Sequence, residues 1–299
     1  MTWYKLNLAN PSERLARELA ADPNFRVLRR LPDWTDVWCR SMPVAERVST
    51  TVLGCVDVET SGLDASRHEM VEIAIVKLTI CDLTGEVVDV AAPQSWLEEP
   101  TTPLSETIEQ LTGLCDADLR GQRFDEDHIR SVLDECDALI AHNAFFDSKF
   151  VTKRFPFVGH PWGCSANDVI WSDHGLRTGK SLGALVTAAG FFMPQAHRAA
   201  ADAWATACLL MMPGYDARPV AVHLIERGRR PTHRLFAENA PISTKDTLKA
   251  AGYRWHPTRR CWWTEGEPEA MANEATWLVS LHPAIKPVAE RVDWYDRWK

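Results

Sequence analysis

The sequence predicts an α/β fold, a mixed β-sheet flanked by helices, followed by a small α+β domain. Three observations carry this. Apolar, β-branched runs at Thr50–Val58, Met70–Ile80 and Glu86–Ala92 read as three successive strands. Helical patterns then alternate with a short apolar stretch, Ala138–Ala141, as strands covered by helices require. After a basic breaker cluster, Arg229-Arg230-Pro231, the pattern restarts as β-α-β-β-α.

Residues 1–50 hold an amphipathic helix at Pro11–Ala20, with Leu15 and Leu19 four apart, then a basic apolar run, Phe25–Leu31, and tryptophans at 34 and 38. They read as an extension packing on the main domain. Gly62 and Gly85 break the strands. Asp125–Asp134 and Phe145–Phe155 read as helices, the second stopped by Pro156. Ser181–Ala189 and Ala199–Met212 carry the helical apolar period and end at Gly190 and at Pro213-Gly214. A helix from Val220 to Arg227 ends at Gly228. Beyond it come a strand at His233–Ala237, a helix at Lys245–Ala251 with Ser243 as its cap, a hairpin pairing Tyr253–Trp255 with Cys261–Trp263, and a helix at Glu267–Leu281. The expected domains are therefore 1–50, the extension; 51–230, the main domain with a linker helix; and 231–299, a small tryptophan-rich domain.

At 299 residues, with 45% hydrophobic and 25% charged residues, the composition excludes disorder, collagen-like repeats and coiled coil. No apolar run reaches the roughly 18 residues of a membrane span, and the N-terminus lacks the pattern of a cleaved leader, so a cytoplasmic location is expected. Eight cysteines are spread evenly with no Cys-x-x-Cys pair, which argues against disulfides and structural zinc. The net charge of −8 has the wrong sign for coating a polyanion, so any nucleic-acid contact must be local or mediated by metal ions.

Within the first strand, Cys55-Val56-Asp57-Val58-Glu59-Thr60-Ser61-Gly62 sets Asp57 and Glu59 two apart, on one face. Two carboxylates among apolar neighbours are costly unless protonated or bound to a cation; the plainer alternative is a pair of solvated turn residues ahead of Gly62. After the strand at 138–141, His142-Asn143-Ala144-Phe145-Phe146-Asp147 offers Asn143 as a helix cap and Asp147 in the first turn, either at a strand's carboxyl end where sites form or as an ordinary helix start. At the entry to the helix at 199–212 lie His197 and Asp202. On one continuous helix they would diverge by about 140°. With His197 in the loop before the helix, both can face one cleft.

In order and spacing these three motifs resemble those of the DEDDh, or DnaQ-like, 3′-to-5′ exonuclease family, which includes the proofreading epsilon subunit of bacterial DNA polymerase III, RNase T and oligoribonuclease. The resemblance covers about residues 50–212, with Leu111-Thr112-Gly113-Leu114 and Lys180-Ser181-Leu182-Gly183 agreeing. It implies an RNase H-like fold with a mixed five-stranded sheet. It implies too that Asp57, Glu59, Asp147 and Asp202 hold two divalent ions, Mg²⁺ or Mn²⁺, and that His197 is the general base. Thr60, Ser61 and Gly62 would admit the terminal nucleotide, Leu63 would wedge beside its base, and Asn143 and Phe146 would line the site. Where several members carry an Asp-Thr pair, this chain has Cys164-Ser165-Ala166-Asn167-Asp168.

In the C-terminal domain, Arg254, Trp255, Arg259, Arg260 and Trp262 interleave cations with aromatic rings, a composition suited to single-stranded nucleic acid and equally to the core of a small domain. The expected reaction is release of nucleoside 5′-monophosphates from the 3′ end of single-stranded DNA, with a polymerase or repair complex as a partner. Two alternatives stay open: the same chemistry on short RNA, and a polymerase-associated scaffold that binds nucleic-acid ends.

Overall fold

A computed structural model of the chain describes residues 3–5, 9–37, 39, 48–194 and 197–298. Trp38, one of the two tryptophans read into the extension, lies outside them. The chain divides into two compact units, Met1–Arg227 with Trp298–Lys299, and Gly228–Arg297.

The first unit opens with α1 (Pro11–Ala21), which starts where Asn10 accepts a hydrogen bond from the Ser12 N–H at 2.9 Å and Pro11 takes the first helical position. Leu15 and Leu19 are exposed and no α1 residue is buried, so the extension does not pack through this helix. It packs through the segment after α1: Leu31 and Val37 are buried, the Trp204 indole donates to the Pro32 carbonyl at 2.8 Å, and β1 (Arg29–Arg30) pairs in parallel with a later strand, Phe191–Phe192.

Then come β2 (Thr50–Thr60), β3 (Met70–Cys81), β4 (Val87–Val90) and β5 (Gln94–Leu97), α2 (Glu106–Thr112), α3 (Asp116–Leu119) and α4 (Glu126–Asp134), β6 (Ala138–Ala141), α5 (Ala144–Arg154), β7 (Trp162–Cys164), α6 (Leu182–Ala188), β8 (Phe191–Phe192), α7 (Ala199–Met211) and α8 (Val220–Arg229). The main sheet runs β4-β3-β2-β6-β7. Here β2 is antiparallel to β3 and parallel to β6, and β6 is parallel to β7. The mixed sheet flanked by helices is thus present, with six strands in place of the expected five, because β3 is long enough to pair with both β4 and β5 along one edge.

Val56 and Val58 of β2 sit with Ile73, Leu133, Leu139, Phe150, Phe155 and Trp162 in a core under α4 and α5. Strand alternation turns Cys55, Asp57 and Glu59 to the opposite face. There α7 packs on β2 and β3, its buried Cys208 beside Cys55. Ten of α7's thirteen residues are buried, so this helix is fixed against the face that carries the two carboxylates.

The second unit has β9 (Thr232–Glu238), α9 (Lys245–Ala250), β10 (Arg254–His256), β11 (Cys261–Gly266), α10 (Pro268–Leu281) and β12 (Lys286–Val292), with sheet order β10-β11-β9-β12. The β-α-β-β-α expectation lacks β12. That strand, with Pro287, Glu290 and Arg291 among its seven residues, has too polar a pattern to be read locally and is held by antiparallel pairing with β9. Ser243 does not cap α9: residues 242–244 form a short 3₁₀ turn and the N-cap is Thr244, whose hydroxyl donates to the Pro241 carbonyl. Leu235, Ala237, Leu248, Tyr253, Met271 and Leu278 form the unit's core.

Candidate active site

Asp57 and Glu59 occupy the carboxyl-terminal half of β2, opposite Ala74 and Glu72 of β3, just before a bulge at Glu59–Thr60. Asp202 lies in the first turn of α7. One oxygen from each of Asp57, Glu59 and Asp202 falls within 4.8 Å of the others, and all three residues are half-buried. Asp147, 3% exposed in the first turn of α5, is close enough for its charge to act on Asp57.

The electrostatics follow from crowding anions in a partly dry place. Burial pushes the Asp57 carboxyl well above the usual range, and Asp147, Asp202, Glu59 and Glu72 push it further. Burial, with the charges of Asp202, Glu72 and Asp147, brings Glu59 up to about 8. Asp147 is pushed up to about 7 by burial, against backbone hydrogen bonding at Asp147 itself and at Val58. Asp202 is raised by burial and partly relieved by His197 through charge and a backbone hydrogen bond. One Asp202 oxygen, Oδ1, is buried with no hydrogen-bond partner among the described residues.

These residues fit a divalent cation. The donors are all carboxylate oxygens, which suit hard ions such as Mg²⁺ and Mn²⁺. The orphaned Asp202 Oδ1 needs a partner that no side chain among the described residues supplies.

His197 sits two residues before α7, exposed, with a left-handed backbone at φ 65°. It is off the helix, so the 140° separation does not apply. The next residue anchors the loop. Arg198 reaches Glu72 through Nε at 3.1 Å and its terminal nitrogen at 3.3 Å, and the Ala199 N–H reaches the same carboxylate at 3.4 Å. Glu72 is fully buried and faces Glu59 across the strand pair. Sequence reasoning passed over both residues. The available signal was the one acidic residue inside the apolar run Met70–Ile80.

Around the carboxylates, Thr60 is buried and its hydroxyl donates to the Gly62 carbonyl at 2.7 Å. Ser61 and Glu69 close the loop with two hydrogen bonds, at 2.8 and 3.0 Å. A Cβ on Gly62 would lie 2.4 Å from the His68 ring, so glycine is required for that close approach. Leu63 beyond it is 82% exposed. Asn143 takes the N-cap position of α5, but its side chain is exposed and makes no capping bond, contrary to expectation, because its backbone (φ −140°, ψ 62°) departs from the usual cap conformation. Phe146 packs on Phe150 at 4.9 Å, partly buried against the core. His142 is tied down by Ser165 at 2.8 Å and the Lys180 carbonyl at 2.7 Å. In the departing segment, Asp168 accepts from the Cys164 N–H at 2.7 Å and the Trp298 indole at 2.8 Å, a structural role.

The five residues expected to touch nucleic acid in the second unit separate. Arg259 is held by Glu290 at 2.6 Å and Glu238 at 3.3 Å, and Arg254 lies 4.0 Å over the Trp263 ring. Trp262 packs against the unit's core, Trp255 is half exposed and Arg260 is exposed.

A family model described as "Exonuclease" matches residues 55–210. Among curated proteins, the DNA polymerase III PolC-type of Halalkalibacterium halodurans is 37% identical over 109 residues, 34% of this chain and 7% of that protein. The Staphylococcus saprophyticus protein of the same name is 35% identical over 179 residues, 56% of this chain and 12% of that protein. The chain thus spans about a tenth of the length of the curated relatives it matches. Among solved structures, exonuclease X in complex with 5′ overhanging duplex DNA is 26% identical, covering 54% of this chain and 89% of that one with a TM-score of 0.40. The E. coli exonuclease I complex with single-stranded DNA is 15% identical, covering 84% and 66% with a TM-score of 0.47.

Proposed function

The chain belongs to the exonuclease family whose model it matches over residues 55–210, and from that membership we propose that it is a metal-dependent 3′-to-5′ exonuclease acting on single-stranded DNA and releasing nucleoside 5′-monophosphates. The observation that carries the proposal is the gathering of Asp57, Glu59 and Asp202 oxygens within 4.8 Å, next to Asp147, with one Asp202 oxygen unpartnered. The matched relatives are DNA polymerases by name, which favours DNA over RNA.

Asp57, Glu59, Asp147 and Asp202 would hold two divalent ions, Mg²⁺ or Mn²⁺. When bound, such ions stabilise the attacking and leaving oxygens at phosphorus. His197, outside the helix and open to solvent, takes the proton of the attacking water through its imidazole nitrogen. Arg198, fixed on Glu72, sets the direction in which that loop enters α7. The bulge at Glu59–Thr60 and the Thr60–Gly62 bond shape the turn that receives the terminal nucleotide, and exposed Leu63 stands ready to part its base from the next.

The test is digestion of 5′-labelled single-stranded DNA and matched RNA with Mg²⁺, Mn²⁺ or EDTA, comparing the parent with Asp202→Ala. A ladder shortening from the 3′ end, absent in EDTA and in the variant, is the expected result. A stronger ladder on RNA would replace the substrate. Binding without any degradation would leave an end-binding scaffold instead.

A further inference from the structure

The sheet of the second unit sorts its aromatic residues by face. In one row the register aligns Arg254, Trp263 and Phe236, and in the other Trp255, Trp262 and Ala237. The first row is used internally. Arg234 and Arg254 lie 4.6 and 4.0 Å from the Trp263 ring centre, and Arg259 lies 3.8 Å from that of Phe236. The second row ends differently. Trp262 packs on the core, but Trp255, on edge strand β10, is 50% exposed, its ring edge-on to Trp262 at 5.6 Å.

Beside Trp255 runs a groove of about 310 Å³, lined among others by Asn239, Arg260 and Trp262. That size is at the lower end of small-ligand sites, at about 300 Å³. Arg260 is exposed, has a left-handed backbone at φ 52°, and forms no ion pair among the described residues. The groove's carboxylate, Glu238, is already engaged by Arg259 at 3.3 Å. An open indole, a groove of nucleotide size and an uncompensated guanidinium therefore lie together. The wider charge agrees: residues 228–297 carry eleven Lys and Arg against nine Asp and Glu, whereas the whole chain has a net charge of −8. A polyanion is drawn to this unit before the rest of the chain.

We infer that this groove binds one nucleotide of a single-stranded nucleic acid, its base stacked on Trp255 and its phosphate on Arg260. Stacking on a single ring and one phosphate contact give affinity without base reading, so the site takes any sequence. The inference rests on the nucleic-acid reading of the function for the class of ligand, but not on cleavage.

The test uses the full chain carrying Asp202→Ala, in EDTA, with fluorescein-labelled oligothymidylate and oligouridylate read by anisotropy. Trp255→Ala and Arg260→Asn are added singly, asparagine being chosen because it accepts the left-handed backbone. Each is expected to weaken binding of both oligonucleotides about tenfold, and Trp255→Phe to restore most of the loss. Parent-like affinity in both variants, with melting curves matching the parent, would overturn the assignment. Cleavage is assayed separately on the unsubstituted chain with Mn²⁺. No cleavage there, alongside Trp255-dependent binding, would remove the nuclease reading and leave the groove in place.

Discussion

At Asp57, Glu59, Asp147 and Asp202 the chain crowds carboxylates whose proton affinities are raised, chiefly by burial. Glu59 is raised to about 8 and Asp147 to about 7, so the folded chain holds protons there that an unfolded chain releases nearer pH 4 to 5. Over that window the folded state binds more protons, and stability without metal should fall as pH rises from about 4 to about 8. Melting in EDTA should show this decline, and Mn²⁺ should flatten it by binding the folded form. The same protons must leave when a cation enters, so Mn²⁺ affinity should rise with pH through the same range, with proton release detectable by calorimetry in buffers of different ionisation enthalpy. The roles also divide. Asp57→Ala or Asp202→Ala should abolish cleavage together with Mn²⁺ binding, whereas His197→Ala should lower kcat by about 10² to 10⁴ and leave Mn²⁺ binding near the parent value.

Among the elements, α7 does the most to assemble the site, bringing Asp202 in its first turn and the His197 loop ahead of it onto the face of β2 that bears Asp57 and Glu59. The Arg198–Glu72 pair pins that entry. Arg198→Ala should cost about 1.5 to 3 kcal/mol in urea unfolding through the lost charged hydrogen bonds, and lower kcat more than it raises KM, because it frees the loop rather than the substrate pocket. Glu72 could not be assigned from sequence, since its meaning depends on the β2–β3 register that sets it opposite Glu59. The long elements were legible for the opposite reason: β2, β3 and α7 are continuous apolar runs whose periodicity is local information. Gln94–Leu97 and Trp162–Cys164 are too short to show a period and exist only because β3 and β6 offer them an edge. Asn143 was legible as a cap position, but the missing capping bond is a matter of backbone angles that residue type does not reveal.

For the whole molecule, charge limits how nucleic acid can be held. With a net charge of −8 and an excess of only two basic residues over residues 228–297, few phosphates can be neutralised at once. The logarithm of oligonucleotide affinity should therefore fall with the logarithm of salt with a shallow slope, about −0.7 per phosphate contacted and no steeper than about −2 in all. An anisotropy titration between 50 and 200 mM salt reads this directly, and a slope near −5 would mean about seven phosphate contacts and overturn the expectation. The strand order of the second unit also decides how the chain fails. β9 is central only because β12 returns across roughly fifty residues of sequence to cover its second side. A premature stop before Lys286 would not produce a merely shorter domain. It would turn Leu235-Phe236-Ala237 into an open edge with unpaired backbone groups, so the truncated product should self-associate and precipitate, and its loss would be read as missing protein rather than missing activity.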